Sequence, residues 1–306
     1  MKITVQTGNV VGQLGIEAGY RAIREAGFEG IDWNIDHGWK AEEVIKGKLE
    51  DCVFEMPMDQ ILEYYSDQVK AIKENGLVIG QAHAPFPAYV EGFEELDRRV
   101  IPIYENCIRL CQEVGYPALV IHGISQRVNC YTLTKEELWQ KNMALYEALI
   151  PVLKETDVVV CLENLFTHYE GVCYPGTCID PNEAVAMIDA LNEKAGKECF
   201  GFCFDVGHFN LFSKDFAGYL GRLGKRVKTL HIHDNSGKDD NHKMPYNGTV
   251  CWKDFYEALK AIGYEGNLNF ETFNQYQIHQ MEAEFIPVFL KAIAEIGALF
   301  KKKILE

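Results

Sequence analysis

Residues 200–208 read FGFCFDVGH. Side chains alternate along a strand, so Phe202 and Phe204 share one face while Cys203 and Asp205 share the other. The segment is apolar on both faces until Asp205 closes it. That is how a parallel strand buried between helices and a core reads, with a polar end where the strand meets solvent or a ligand. Seven further runs have the same character: ITVQT (3–7), GIDWNI (30–35), LVIGQAH (77–83), ALVIHG (118–123), VVVCLEN (158–164), VKTLHIHD (227–234) and NLNFET (267–272). Amphipathic stretches such as IEAGYRAIREAGF, MDQILEYYSDQVKAIKENG and DPNEAVAMIDALNEKAG separate them. Strand and helix alternating eight times predicts an α/β fold, a (β/α)8 TIM barrel. The 306 residues suit one such domain spanning 1–306, since a barrel needs about 250 residues and the rest can be insertions. An open doubly wound sheet would carry a glycine-rich phosphate loop after its first strand, and GNVVGQLG is not one.

Local signals agree with this division. Asp180-Pro181 supplies an N-cap and a proline at the first helical position. Gly27, Gly76 and Gly263 fall just after helical runs, where a left-handed residue ends a helix. Residues 36–58 and 166–180 exceed simple connections and are expected as short lid-like insertions at the C-terminal face, where barrel enzymes keep their substrate loops.

Composition narrows the partners. With a net charge of −15 the chain repels nucleic acid and anionic membranes at long range. The 47% hydrophobic and 25% charged fractions are those of an ordinary globular protein. No apolar run approaches the roughly 20 residues that span a bilayer. The ten cysteines include no C-x-x-C pair, and the opening MKITVQTG has no charged-then-apolar leader. A cytoplasmic protein with reduced thiols is expected.

The later strands each end in an ionisable residue: His83, His122, Glu163, Asp205 followed by His208, His231 followed by His233, and Glu271. By alternation Leu230 and Ile232 face the helices and His231 and His233 the barrel axis. Glu163, Asp205 and Glu271 also face inward. Three carboxylates meeting in one mouth repel unless a cation or protons compensate. Histidines among them make a divalent metal the economical explanation.

These residues resemble the xylose isomerase-like barrels, a superfamily of sugar and sugar-phosphate isomerases and epimerases that also includes endonuclease IV. The resemblance covers nearly the whole chain, and its most specific pieces are HAPF (83–86), LEN (162–164), FDVGH (204–208), HIHDN (231–235), DDNH (239–242) and FET (270–272). The ketose 3-epimerase pattern implies one metal held by Glu163, Asp205, His231 and Glu271, with His208 as a substrate contact. Endonuclease IV draws three zinc ions from nine positions. Those match His83, His122, Glu163, Asp205, His208, His231, Asp240, His242 and Glu271, so up to three metal ions are implied. Mn or Zn is the first expectation, with Mg or Co as alternatives.

The function expected from this resemblance is a metal-dependent sugar or sugar-phosphate isomerase or epimerase. Glu163 and Glu271 would be the proton-transfer pair acting through an enediolate, and the substrate a small carbohydrate. An alternative is a metal-dependent lyase or dehydratase on a keto-sugar or cyclitol, which starts from the same proton abstraction. A third reading is abasic-site DNA cleavage at a trinuclear zinc centre. Against it, the loops after the first three strands lack the extended basic track that DNA-gripping loops need. His83 and His122 are further substrate-contact candidates. Trp33, with Trp39, would form an apolar wall for a sugar ring. Arg127, Lys238 and Lys243 could meet a phosphate or hydroxyls. His233 is expected one layer above His231, orienting its neighbours, while Asp234 and Asn235 turn the chain out of the strand. A homo-oligomer is a common arrangement for such enzymes.

Overall fold

The computed structural model describes residues 1–35, 39–125, 133–277 and 281–306. Each expected run contains one strand: β1 Ile3–Gln6, β2 Gly30–Asn34, β3 Val78–His83, β4 Ala118–Val120, β5 Val159–Glu163, β8 Phe200–Asp205, β9 Val227–His231 and β10 Leu268–Phe270. They form an eight-stranded sheet in the order β10-β1-β2-β3-β4-β5-β8-β9. A parallel bridge between Ile232 and Phe270 joins the two ends of that order, and helices fill the connections. The fold is a (β/α)8 barrel. By internal contacts the chain divides into two compact units. One comprises Met1–Trp33, Asp67–Gly80 and Cys203–Glu306; the other comprises Asn34–Ser66 and Gln81–Phe202.

In the first unit the outward face of the strands carries the apolar packing. The Phe204 ring lies 5.3 Å from Tyr219, 6.1 Å from Phe216 and 6.5 Å from Phe255, on the helices Phe216–Leu223 and Trp252–Ala261. Phe270 stacks at 6.4 Å on Phe300 of the C-terminal helix Ile286–Leu305. That helix approaches the sheet closely at Gly297, where a Cβ would fall 2.7 Å from Ile3 Cγ2 and 2.8 Å from Phe270 Cε2. The inward face of the same strands is polar and buried: Thr4, Asp32, Asp205, His231 and Asn269. This is the division that the two-residue period dictates.

In the second unit, helix side chains reach the strand ends and fix the loops there. Tyr104 donates to the Pro85 carbonyl and Tyr146 to the Ile121 carbonyl, each at 2.9 Å. Asn142 accepts from Ile124 N and donates to Ile124 O, at 2.8 and 2.9 Å. The loops that follow β3 and β4 are therefore tied to the helices Glu94–Val114 and Lys135–Glu147.

The Asp180 side chain accepts from Asn182 N at 2.9 Å and Pro181 opens the helix Pro181–Ala195. Gly27, Gly76 and Gly263 all have positive φ. The two insertions are more ordered than the sequence indicates. In 36–58, whose residues 36–38 lie outside the described set, Arg99 makes a forked pair with Glu55 and donates to the Glu50 carbonyl. Within 166–180 lies an antiparallel hairpin, β6 Phe166–Tyr169 and β7 Val172–Pro175. Its two-residue turn is Glu170-Gly171, with φ of 47° and 79°, the left-handed geometry that matches strand twist.

Nine cysteines are free thiols among the described residues, seven of them buried. Among the same residues, no helix is long and apolar enough to cross a membrane.

Candidate metal centre

The expected ligands fall into three donor groups, one in the unit that contains β5 and two in the other. In the unit that contains β5, His83, His122 and Glu163 come together at the ends of β3, β4 and β5. His122 Nε2 lies 3.1 Å from Glu163 Oε2, and His83 Nε2 lies 3.0 Å from His122 Nε2 and 3.9 Å from the same carboxylate oxygen. His83 Nδ1 sits 2.8 Å from the Ala84 carbonyl. A carbonyl accepts only, so the ring proton is on Nδ1 and the Nε2 lone pair faces the group. Two imidazole nitrogens converging beside one buried carboxylate oxygen are an arrangement a divalent cation satisfies. The Phe86 ring covers His122 at 4.7 Å and His83 at 5.5 Å.

In the other unit, Asp205, His231 and Glu271 converge at the ends of β8, β9 and β10. His231 Nδ1 lies 3.5 Å from Glu271 Oε2 and 3.8 Å from Asp205 Oδ2. Donors held at about 2.1 Å around one tetrahedral cation stand about 3.4 Å apart, so these separations fit a shared ion. His231 and Asp205 are fully buried and Glu271 is nearly so.

Asp205 also caps the one-turn helix Val206–Asn210, accepting from His208 N at 2.6 Å. That turn carries His208 into a further cluster with His233, Asp240 and His242, whose candidate ligand atoms all lie within 4.8 Å of one another. His242 Nε2 is 2.6 Å from Asp240 Oδ2, and His208 Nε2 is 3.6 Å from that oxygen. His242 Nδ1 lies 3.0 Å from the Glu271 carbonyl, which fixes its proton there and turns Nε2 toward Asp240. His242 has a φ of 43°, a left-handed conformation costing about 1–3 kcal/mol at a non-glycine residue and typical of a functional constraint. Its ring stacks at 3.9 Å on His233 and at 4.0 Å on Phe273. Burial alone would raise the Asp240 carboxyl, but His242, His208 and His233 outweigh it and hold the group well below the usual range. Burial works against the His242 imidazolium too, yet Asp240, with Glu271 and Asp205, pushes it up to about 9.

Backbone ties explain how a loop presents Asp240 and His242. Asp234 and Lys243 exchange reciprocal backbone hydrogen bonds at 2.8 and 2.9 Å, closing the loop at its base. The Asp234 side chain accepts from Asn235 N, Val250 N and Trp252 Nε1, and Asn235 Nδ2 donates to the Gly207 carbonyl at 2.8 Å. Asp234 and Asn235 thus anchor the loop where the chain leaves β9.

Several expectations are refined. His233 is closer to the ligands than a layer above them: its Nε2 is 3.1 Å from both oxygens of Asp205. This approach needs Gly207, where a Cβ would sit 1.9 Å from His233 Cε1. Trp33 is corrected from a substrate wall to a packing residue. It is fully buried, and its indole donates at 2.9 Å to Gln68 on the helix Ser66–Glu74, on the face opposite Asp32. Two-residue alternation in GIDWN already places Trp33 outward. Trp39 is also buried. Arg127 lies outside the described residues. Lys243 contributes its backbone to the loop clamp. The residue that the sequence reading passes over is Asp32, a fully buried carboxylate with Oδ2 at 3.3 Å from His231 Nε2. The same alternation that turns Trp33 outward turns Asp32 inward, and that signal was available.

Comparison with known proteins places this geometry in context. The D-psicose 3-epimerase of Ruminiclostridium cellulolyticum is 24% identical over 258 residues, covering 79% of this chain and 80% of that protein. The crystal structure of a D-tagatose 3-epimerase-like protein superposes with a TM-score of 0.67 at 19% identity, covering 97% of this chain and 99% of the other. The 3-keto-D-glucoside 4-epimerase of E. coli gives 0.66 at 18% identity, covering 99% of each chain. The family model described as xylose isomerase-like TIM barrel matches residues 20–291. The chain belongs to the xylose isomerase-like TIM barrel family.

Proposed function

We propose that the protein is a divalent-metal-dependent epimerase or isomerase of a small carbohydrate. The observation that carries this reading is the convergence of Asp205, His231 and Glu271 at three successive strand ends, with spacings that fit a shared cation. The sequence resemblance to ketose 3-epimerases suggests Glu163 as a further ligand. The epimerases among its relatives and structural neighbours point to a sugar.

When bound, the cation supplies positive charge beside a substrate carbonyl, which lowers the energy of the oxygen anion that forms as a neighbouring carbon loses its proton. Glu163 or Glu271 takes that proton, and the other glutamate returns one to the opposite face, inverting the carbon. Each positioned carboxylate contributes about 10²–10⁴ in rate. His208 is placed to orient a substrate hydroxyl: Asp205 accepts from its backbone N–H, and Asp240 faces its Nε2. Phe86, partly exposed and lying over His83 and His122, offers an apolar surface to a sugar ring.

A panel of ketoses incubated with metal-loaded protein in deuterated water tests the reading. Exchange of one carbon-bound proton for deuterium, with formation of an epimer or aldose, is the expected result; no exchange across the panel overturns it. A second reading, phosphodiester cleavage at a trinuclear centre, draws support from the donor groups beyond Asp205, His231 and Glu271. The net charge of −15 weighs against a DNA partner. Nicking of an abasic-site duplex at physiological salt would establish this alternative.

A further inference from the structure

Within the unit that holds β9, His231 is gripped from behind. Its Nδ1 faces Glu271 and Asp205, whereas its Nε2 lies 3.3 Å from Asp32 Oδ2. Asp32 is fully buried on the inward face of β2. The same Oδ2 accepts a hydrogen bond from Asn269 Nδ2 at 2.8 Å. The Asn269 amide cannot turn over freely, because Thr4 Oγ1 donates to its Oδ1 at 3.0 Å and so directs the NH2 group at Asp32. Sheet register holds the members in place: Thr4 pairs with Asn269, Gln6 with Asp32, and Thr7 N donates to the Asp32 carbonyl. Thr4, Asn269, Asp32 and His231 therefore form a continuous polar line through four strands, ending at the ligand atom.

A carboxylate in such a place is costly unless it is used. Moving it out of water is unfavourable, and an apolar side chain would fill the space without that penalty. What it provides is direction and electron density. A carboxylate facing Nε2 at 3.3 Å draws the His231 proton to that nitrogen. The Nδ1 lone pair is left for the cation, and the ring becomes a stronger donor.

We infer that Asp32 is a positioning residue that selects the Nε2–H tautomer of His231 and strengthens it as a metal ligand, with Asn269 and Thr4 orienting Asp32 in turn. The inference rests on the metal-site reading above and adds a residue that touches neither substrate nor cation.

Two measurements test it. The first is Zn2+ and Mn2+ affinity by chelator competition, for the wild type and for Asp32→Asn, with the thermal unfolding of each metal-free protein as a folding control. A loss of about 10–100-fold in affinity with folding retained is expected. Equal affinities overturn the role. The second needs no variant: 15N NMR of the histidine rings in Zn2+-loaded wild type, where His231 should be protonated at Nε2 and metal-bound through Nδ1. A ring bound through Nε2 overturns the inference even if Asp32→Asn fails to fold. Wild-type protein that takes up no divalent ion in the first titration overturns the metal-site reading itself, a result distinct from either failure of Asp32.

Discussion

Two of the donor groups are built in different ways. His83, His122 and Glu163 each stand at the end of a barrel strand, and their spacing follows from strands hydrogen-bonded in register. His208, Asp240 and His242 belong to a one-turn helix and a loop, and His233 lies two residues past β9, as His122 lies two past β4. Sheet hydrogen bonds place the first group. The second depends on a few specific ties, namely the Asp234–Lys243 bridge, the Asn235–Gly207 bond, the Asp205 cap and the left-handed backbone of His242. The loop-built group should therefore be the more sensitive of the two to the loss of a single tie.

The strongest challenge to this contrast is at the glutamates, one from each unit. Glu163→Gln and Glu271→Gln should each lower the rate of deuterium exchange by about 10²–10⁴. A variant retaining more than a tenth of the wild-type rate would remove that residue from the proton-transfer pair.

Gly207→Ala separates the two groups. Its Cβ must displace the His233 ring, at an expected cost of about 1–3 kcal/mol in stability by denaturant unfolding. Metal should be lost from the group containing His233, while the group at His83, His122 and Glu163 keeps its ion. Equal loss of all bound metal would show that the groups are not independent.

The loop group should also carry its own pH signature in metal-free protein. His242, raised from 6.5 to about 9, contributes stability that is complete below pH 6.5 and lost as pH climbs through about 9. Asp240, depressed below 3.8, contributes stability that is present above that value and lost as pH falls through its folded pKa. Urea midpoints should therefore decline between pH 6.5 and 9, and His242→Gln should flatten that limb. An unchanged slope in the variant would exclude the pair as its source.

The smallest effect is a remote control. Thr134 caps the helix Lys135–Glu147 in a reciprocal capping box with Glu137. Thr134→Ala should cost about 1 kcal/mol in unfolding free energy and leave metal content unchanged. A change in metal content would extend the site's dependence to that helix.

Legibility in the sequence follows the same division. All eight barrel strands lie inside runs that apolar patterning marks, and alternation alone assigns Asp205, His231 and Glu271 to one face. The rule reaches Asp32 as well, but a single acid between two large apolar residues draws less notice than a histidine pair. Strand parity, not aromatic character, decides Trp33: one residue past the inward Asp32, it faces outward and is buried. The hairpin at 166–175 was missed because its strands are half exposed and lack clear alternation. The closeness of His233 to Asp205 was not legible, since it depends on a glycine from another segment.

The sequence by itself determined the alternating elements, the inward ionisable residues and their resemblance to a metal-using sugar-enzyme family, because periods of 2.0 and 3.6 residues are local properties of the chain. Tertiary structure decided which donors share an atom's reach, which histidine nitrogen faces them and which carboxylate stands behind His231. Those depend on contacts such as the 2.8 Å bond from Asn269 to Asp32, residues far apart in the chain, and only strand pairing sets them.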